Sequence, residues 1–108
     1  MLMKKVGFIG AGNMGGALAR AAAKAKDTKI YLFDKDEDKA VALAERIGAN
    51  VVSAEELARE CDIVFLGVKP SIVEIALKPI ADIISEKGST LVSMAAGVKI
   101  EKIEKYIL

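Results

Sequence analysis

The sequence predicts an α/β domain built on a parallel sheet, and three observations carry that prediction. Short apolar runs with strand character alternate with amphipathic stretches of helical period along the whole chain, the pattern of a parallel sheet with right-handed crossovers. The first run, Val6-Gly7-Phe8-Ile9, leads into Gly10-Ala11-Gly12-Asn13-Met14-Gly15, a Gly-x-Gly-x-x-Gly in which a helical pattern begins. No linker, repeat or low-complexity segment interrupts the 108 residues. Together these predict a Rossmann-type doubly wound, mainly parallel sheet in a single domain spanning 1–108.

The elements follow in order. Residues 5–9 are apolar enough for a strand buried on both faces. From Asn13 to about Lys26, Met14, Ala17, Leu18, Ala21, Ala22 and Ala25 repeat at helical spacing, with small side chains suited to close packing on a sheet. Lys29 to Phe33 reads as the second strand, ending at Asp34. A polar loop, 34–39, opens a helix with Asp36 as N-cap; Val41, Leu43, Ala44 and Ile47 give its apolar face and Gly48 stops it. Asn50 to Val52 is a short strand, and Ser53 with Glu56 makes a capping box for a brief helix to about Glu60.

Asp62 to Val68 is a continuous apolar strand, central to the sheet, followed by the loop Lys69-Pro70-Ser71. The helical pattern from Ser71 to about Lys87 is interrupted by Pro79, which is expected to break it and start a second short helix; Gly88 ends that helix. Thr90 to Met94 is the fifth strand, Ala95-Ala96-Gly97 its loop, and Ile100, Ile103 and Ile107 share one face of a last helix.

Composition narrows the function. The chain is 53% hydrophobic and 29% charged, with 16 basic and 15 acidic side chains, a balance that argues against a nucleic-acid or membrane-surface partner. There is no histidine, which removes the commonest zinc sites and every Ser-His-Asp or Cys-His mechanism; no metal site is expected. Cys61 is alone and reads as a buried structural thiol. Lys4-Lys5 before small apolar residues imitates a signal peptide, but glycines, Asn13 and Arg20 interrupt the run, and no stretch reaches the roughly 18 apolar residues that span a bilayer. A cytoplasmic protein is expected.

The glycine motif suits the pyrophosphate of a dinucleotide. Gly10 makes the tight turn, Gly12 lets the backbone approach the phosphates, and Gly15 lets the helix pack against the strand. The helix start offers unpaired N–H groups and the positive end of its dipole to the anion. Ligands on such sheets lie beyond the carboxyl ends of the strands, so Gly10–Gly15, Asp34–Lys35, Val68–Ser71 and Ala95–Gly97 are expected around one crevice. Asp34 stands 19 residues after Gly15, the spacing of the acid that bonds the ribose hydroxyls of NAD and repels a 2′-phosphate. Lys35 and Lys39 are close enough in sequence to recruit that phosphate instead, and a purely solvated loop is the bland reading of all these charges. Lys69, held extended before Pro70, either borders the nicotinamide or is a surface lysine. Ala95, Ala96 and Gly97 either let a ring lie flat on the backbone or simply let the last helix fold back.

The stretches Gly-Phe-Ile-Gly-Ala-Gly-Asn-Met-Gly-Gly-Ala-Leu (7–18), Asp-Ile-Val-Phe-Leu-Gly-Val-Lys-Pro (62–70) and Leu-Val-Ser-Met-Ala-Ala-Gly-Val-Lys-Ile (91–100) together resemble pyrroline-5-carboxylate reductase, over that family's first domain only. The first motif is shared with 3-hydroxyacid dehydrogenases; Val-Lys-Pro and Ser-x-Ala-Ala-Gly are more particular to the reductase. The resemblance implies reduction of 1-pyrroline-5-carboxylate, a cyclic imine carboxylate, to L-proline by hydride from NADPH or NADH. It implies that Gly10, Ala11, Gly12, Asn13, Met14 and Gly15 hold the pyrophosphate and that Val68, Lys69 and Pro70 line the nicotinamide side. Ala95, Ala96 and Gly97 would border nicotinamide and imine, with no catalytic side chain assigned; a protonated imine chiefly needs orientation, in keeping with a site that lacks histidine.

Asp34-Lys35 stand where members of that family often carry small polar residues for NADP, which tilts the expectation to NAD. The family's helical second domain, which binds the substrate carboxylate and builds a dimer, is not within these residues, so cofactor binding with little or no turnover is expected of this chain, along with self-association through its apolar last helix or through the outer helices. A related imine or 3-hydroxyacid reductase domain and a non-catalytic dinucleotide-binding module are the alternatives.

Overall fold

The structure is a computed structural model that describes residues 4–10, 19, 22–25 and 27–93. Five strands, β1 (Lys4–Ile9), β2 (Thr28–Phe33), β3 (Asn50–Val51), β4 (Ile63–Leu66) and β5 (Thr90–Ser93), form one sheet in the order β3-β2-β1-β4-β5. Every pairing is parallel. Between the strands lie α1 (Glu37–Ile47), α2 (Ala54–Glu60), α3 (Pro70–Leu77) and α4 (Ala81–Lys87). The predicted α/β doubly wound class is what forms. Of the helix expected over 13–26, Ala19, Ala22 and Ala23 are helical, and Ala19 is fully buried. Ala11 to Gly15, the loop Ala95-Ala96-Gly97 and the last helix with Ile100, Ile103 and Ile107 lie outside the described residues.

Because side chains alternate across a strand, β1, β2 and β4 each feed two cores. On one face Ile9, Tyr31, Val64 and Leu66 form a cluster with Leu57 and Ala58 of α2 and its C-cap Cys61, Val73 and Leu77 of α3, and Ile80 and Ile84. On the other, Val6, Phe8, Ile30 and Leu32 meet Ala19 and the α1 residues Ala40, Leu43 and Ala44. Phe8 stacks on Phe65 there, ring centroids 5.0 Å apart. Of the apolar face expected for α1, Leu43, Ala44 and Ile47 pack, whereas Val41 is exposed and Ala40, not counted on that face, is fully buried.

The caps follow from the residues named for them. Gly48 and Gly88 close α1 and α4 at φ 74° and 75°, the left-handed region that costs glycine nothing. Ser53 Oγ accepts the Glu56 N–H at 3.1 Å at the start of α2. Asp36 occupies the N-cap of α1 but makes no side-chain cap bond; the acids Glu37 and Asp38 in the first turn face the positive end of the dipole instead.

β1, β2 and β3 each differ by one residue at one end from the expectation, and larger differences lie at β4 and around Pro79. The fourth strand is Ile63–Leu66, not 62–68, because the chain turns at Gly67 to enter α3. Pro70 is the first residue of α3, where its fixed φ and missing N–H are harmless. Pro79 breaks the helical run, since it has no N–H to offer the Ile75 carbonyl, but it does not start the next helix. Ile80 is the N-cap of α4, its carbonyl accepting from Ile84 N–H at 3.0 Å.

Candidate functional site

The strand order reverses between β1 and β4: β2 and β3 lie on one side of β1, β4 and β5 on the other. Crossovers leave this point in opposite directions, so a crevice opens beyond the carboxyl ends of β1 and β4, and ligands of open α/β sheets bind in that crevice. Gly10 stands there. Its N–H donates to the Phe33 carbonyl at 2.8 Å, and the next strand's Gly67 N–H donates to the Ile9 carbonyl at 2.8 Å. The ends of β2, β1 and β4 are thus tied together around the Ile9–Gly10 peptide.

Gly10 has two separate reasons to be glycine. Its φ is 101°, which side-chain-bearing residues rarely adopt. A Cβ built on it would stand 2.5 Å from the Gly67 carbonyl oxygen, 2.9 Å from the Gly67 carbonyl carbon and 3.4 Å from Val68 Cγ1. The backbone at this turn is therefore bare and pressed against the β4–α3 loop. Such a turn suits the close approach of a diphosphate, and Val68 lies beside it.

Asp34 follows β2 and is half-buried. Its Oδ1 accepts the Asp36 N–H at 2.8 Å, a local bond that shapes the turn into α1. Lys35 is exposed. Both line an open groove of about 570 Å³ together with Phe33, Glu37, Val51, Val52, Ser53 and Glu56. Lys69 is exposed and extended (φ −60°, ψ 147°) at the N-cap of α3, with Pro70 behind it as the first helical residue. Gly10, Asp34, Lys35, Val68, Lys69 and Pro70 thus lie at the carboxyl end of the sheet; the remaining predicted site residues, 11–15 and 95–97, are outside the described set.

Sequence reading missed the far wall of the groove. Val51, Val52, Ser53 and Glu56 join Asp34 because β3 pairs with β2, Leu32 opposite Val51. The Ser53–Glu56 spacing was visible as a helix cap, but only the strand order shows that this cap borders the crevice. Gly7 was also missed. A Cβ there would stand 2.5 Å from Leu57 Cδ2 and 2.8 Å from Cys61 Sγ, so α2 rests directly on β1. Cys61 is fully buried at that contact, and burial, with help from Asp62 and Glu60, pushes its thiol up to about 12. It is an inert packing group.

A parallel sheet reversing at β1 and β4, with a bare glycine turn at the reversal, defines this as a Rossmann-type α/β domain. The chain belongs to the family described as NADP oxidoreductase, coenzyme F420-dependent, whose model matches residues 5–97. It is 38% identical to the pyrroline-5-carboxylate reductase of Escherichia coli K12 over 96% of the chain and 40% of that protein. The human pyrroline-5-carboxylate reductase 2 is 37% identical over 95% of the chain and 33% of that protein. Among solved structures it is similar to a pyrroline carboxylate reductase of Plasmodium falciparum with NADP bound (TM-score 0.80, 32% identity, 99% of this chain and 39% of that one). The pyrroline-5-carboxylate reductase of Coxiella burnetii superposes at TM-score 0.85 with 28% identity, covering 97% of this chain and 40% of that one. The resemblance read from the three sequence stretches is borne out, and the chain spans two fifths or less of the length of these relatives. Among the described residues no helix is long and apolar enough to cross a membrane.

Proposed function

We propose that this chain is the dinucleotide-binding domain of a pyrroline-5-carboxylate reductase. It would hold NADH or NADPH for reduction of 1-pyrroline-5-carboxylate to L-proline, the remaining helical domain supplying the substrate-carboxylate contacts and the dimer. The observation that carries this reading is Gly10: a positive-φ glycine at the sheet's reversal point, with no room for a Cβ beside the Gly67 carbonyl.

The residues that fit the cofactor divide by position. The Gly10–Gly15 turn takes the diphosphate, Asp34 and Lys35 face the adenosine ribose, and Val68, Lys69 and Pro70 with Ala95, Ala96 and Gly97 border the nicotinamide. When bound, the dihydronicotinamide supplies the hydride. The chain's own work is to fix that ring against the β4–α3 loop and to exclude water with Val68, which is half-buried. No side chain at the described part of the site is required as an acid, since an imine protonated in solution is already electrophilic.

The test separates binding from turnover. This chain should bind NADH or NADPH by calorimetry and show negligible reductase activity. The same residues continued into a helical second domain of a pyrroline-5-carboxylate reductase should reduce pyrroline-5-carboxylate and leave 3-hydroxyacids untouched. Turnover of a hydroxyacid but not of the imine would contradict the substrate assignment. Tight cofactor binding with no activity in any such fusion would favour a non-catalytic module.

A further inference from the structure

The groove beside Asp34 has two walls from different parts of the chain. The wall after β2 carries Asp34, Lys35 and Glu37, and the wall after β3 carries Val51, Val52, Ser53 and Glu56. Among the described residues, three carboxylates and one ammonium line it, a net negative set. In this fold the chain after β2 meets the adenosine ribose, which places the 2′ position of the nucleotide over this groove.

Glu56 is not one of the acids that sequence spacing singles out for the ribose. It comes from the first turn of α2, and Ser53 Oγ holds its backbone N–H at 3.1 Å. Its starting point is therefore fixed, on a helix anchored through the fully buried Leu57 and Ala58, and it lines the same groove as Asp34 from the segment after β3.

We infer that Glu56 is a specificity-determining residue for the cofactor: from the segment after β3 it disfavours a 2′-phosphate and selects NADH over NADPH. This rests on the dinucleotide-binding reading above and adds a residue that acts through charge at a distance. Glu37 acts in the same direction from the near wall, and Lys35 opposes both.

The magnitude is modest because Glu56 is exposed. One unit charge about 8 Å from a doubly charged phosphate in water changes affinity about fourfold at ~0.01 M ionic strength and about twofold at ~0.15 M. Glu56→Gln keeps a residue that capping boxes accept at this position, so the helix start survives. The experiment is calorimetric titration of this chain with NADH and with NADPH at both salt concentrations, for the wild type, Glu56→Gln, Glu37→Gln/Glu56→Gln and Glu45→Gln. Glu45 is exposed on α1 and does not line the groove, so its variant controls for net charge.

In Glu56→Gln the NADPH-to-NADH affinity ratio should rise about fourfold at low salt and about twofold at the higher salt. The double variant should reach about fifteenfold at low salt if the two charges act independently. Glu45→Gln should leave the ratio where it was. A wild type that binds nucleotide while Glu56→Gln leaves the ratio unchanged, or an equal rise in Glu45→Gln, overturns this inference and spares the proposed function. A wild type that binds neither nucleotide overturns both.

Discussion

Replacing Gly10 by alanine tests the physical basis of the site, and Gly48→Ala supplies the control. Both positions have left-handed backbones, φ 101° and 74°. At Gly48 an added Cβ meets nothing within 4 Å, whereas at Gly10 it stands 2.5 Å from the Gly67 carbonyl oxygen. Ordinary contact begins at 3.4 Å, so that oxygen must retreat by about 0.9 Å, against the Gly67 N–H bond to Ile9 at 2.8 Å. Backbone strain alone costs about 1–2 kcal/mol. Forcing the β4–α3 loop outward adds about 1–3 kcal/mol, the scale of overpacking in a well-filled region.

Gly10→Ala should therefore lose about 2–5 kcal/mol and Gly48→Ala about 1–2 kcal/mol. The quantity of interest is the excess of the first over the second, read from urea unfolding followed by far-UV circular dichroism. In melting temperature each kcal/mol corresponds to about 4–8 °C for a domain near this size. Equal losses in the two variants, within ~0.5 kcal/mol, would show that the Gly67 carbonyl yields freely and that the turn is not pressed against the neighbouring loop.

Gly7→Ala places a methyl against Leu57 and Cys61 and should cost about 1–3 kcal/mol, with part recovered when Cys61→Ala makes room; a double-mutant cycle with no coupling contradicts that packing. The Cys61 thiol, raised from 9.0 to about 12 by burial, should resist alkylation at pH 8 in the native chain and react once urea unfolds it. Between pH 9 and about 12 the unfolded chain gives up this proton while the native one keeps it, so stability falls as pH rises through that window. Cys61→Ala should flatten the fall, and an unchanged slope would mean that other groups cause it.

Much of this was readable from the residues themselves. Strand and helix alternation gave the parallel sheet because β1, β2 and β4 are apolar runs, and Gly48, Ser53 and Gly88 mark helix ends through local chemistry alone. What stayed hidden was non-local. Gly7 looks like an unremarkable strand residue until Leu57, fifty positions later, comes to rest on it. The same holds for the stacking of Phe8 on Phe65 and for the nearness of Gly10 to Gly67. Glu56 was legible only as a helix cap, since sequence spacing does not say that β3 lies beside β2. Pro79 announced a break correctly, yet the start of α4 depends on which carbonyl, that of Ile80, accepts the first bond.

The most direct measurement is a ¹H–¹⁵N amide titration of this chain with NADH. Binding at the reversal of the sheet should move the amides of Gly10, Asp34, Val68 and Lys69 and leave those of Lys5, Asp62 and Ser89, at the opposite end of the strands, in place. Saturating NADH and NADPH that move neither set, or that move only the second, would contradict a diphosphate site at the Gly10 turn.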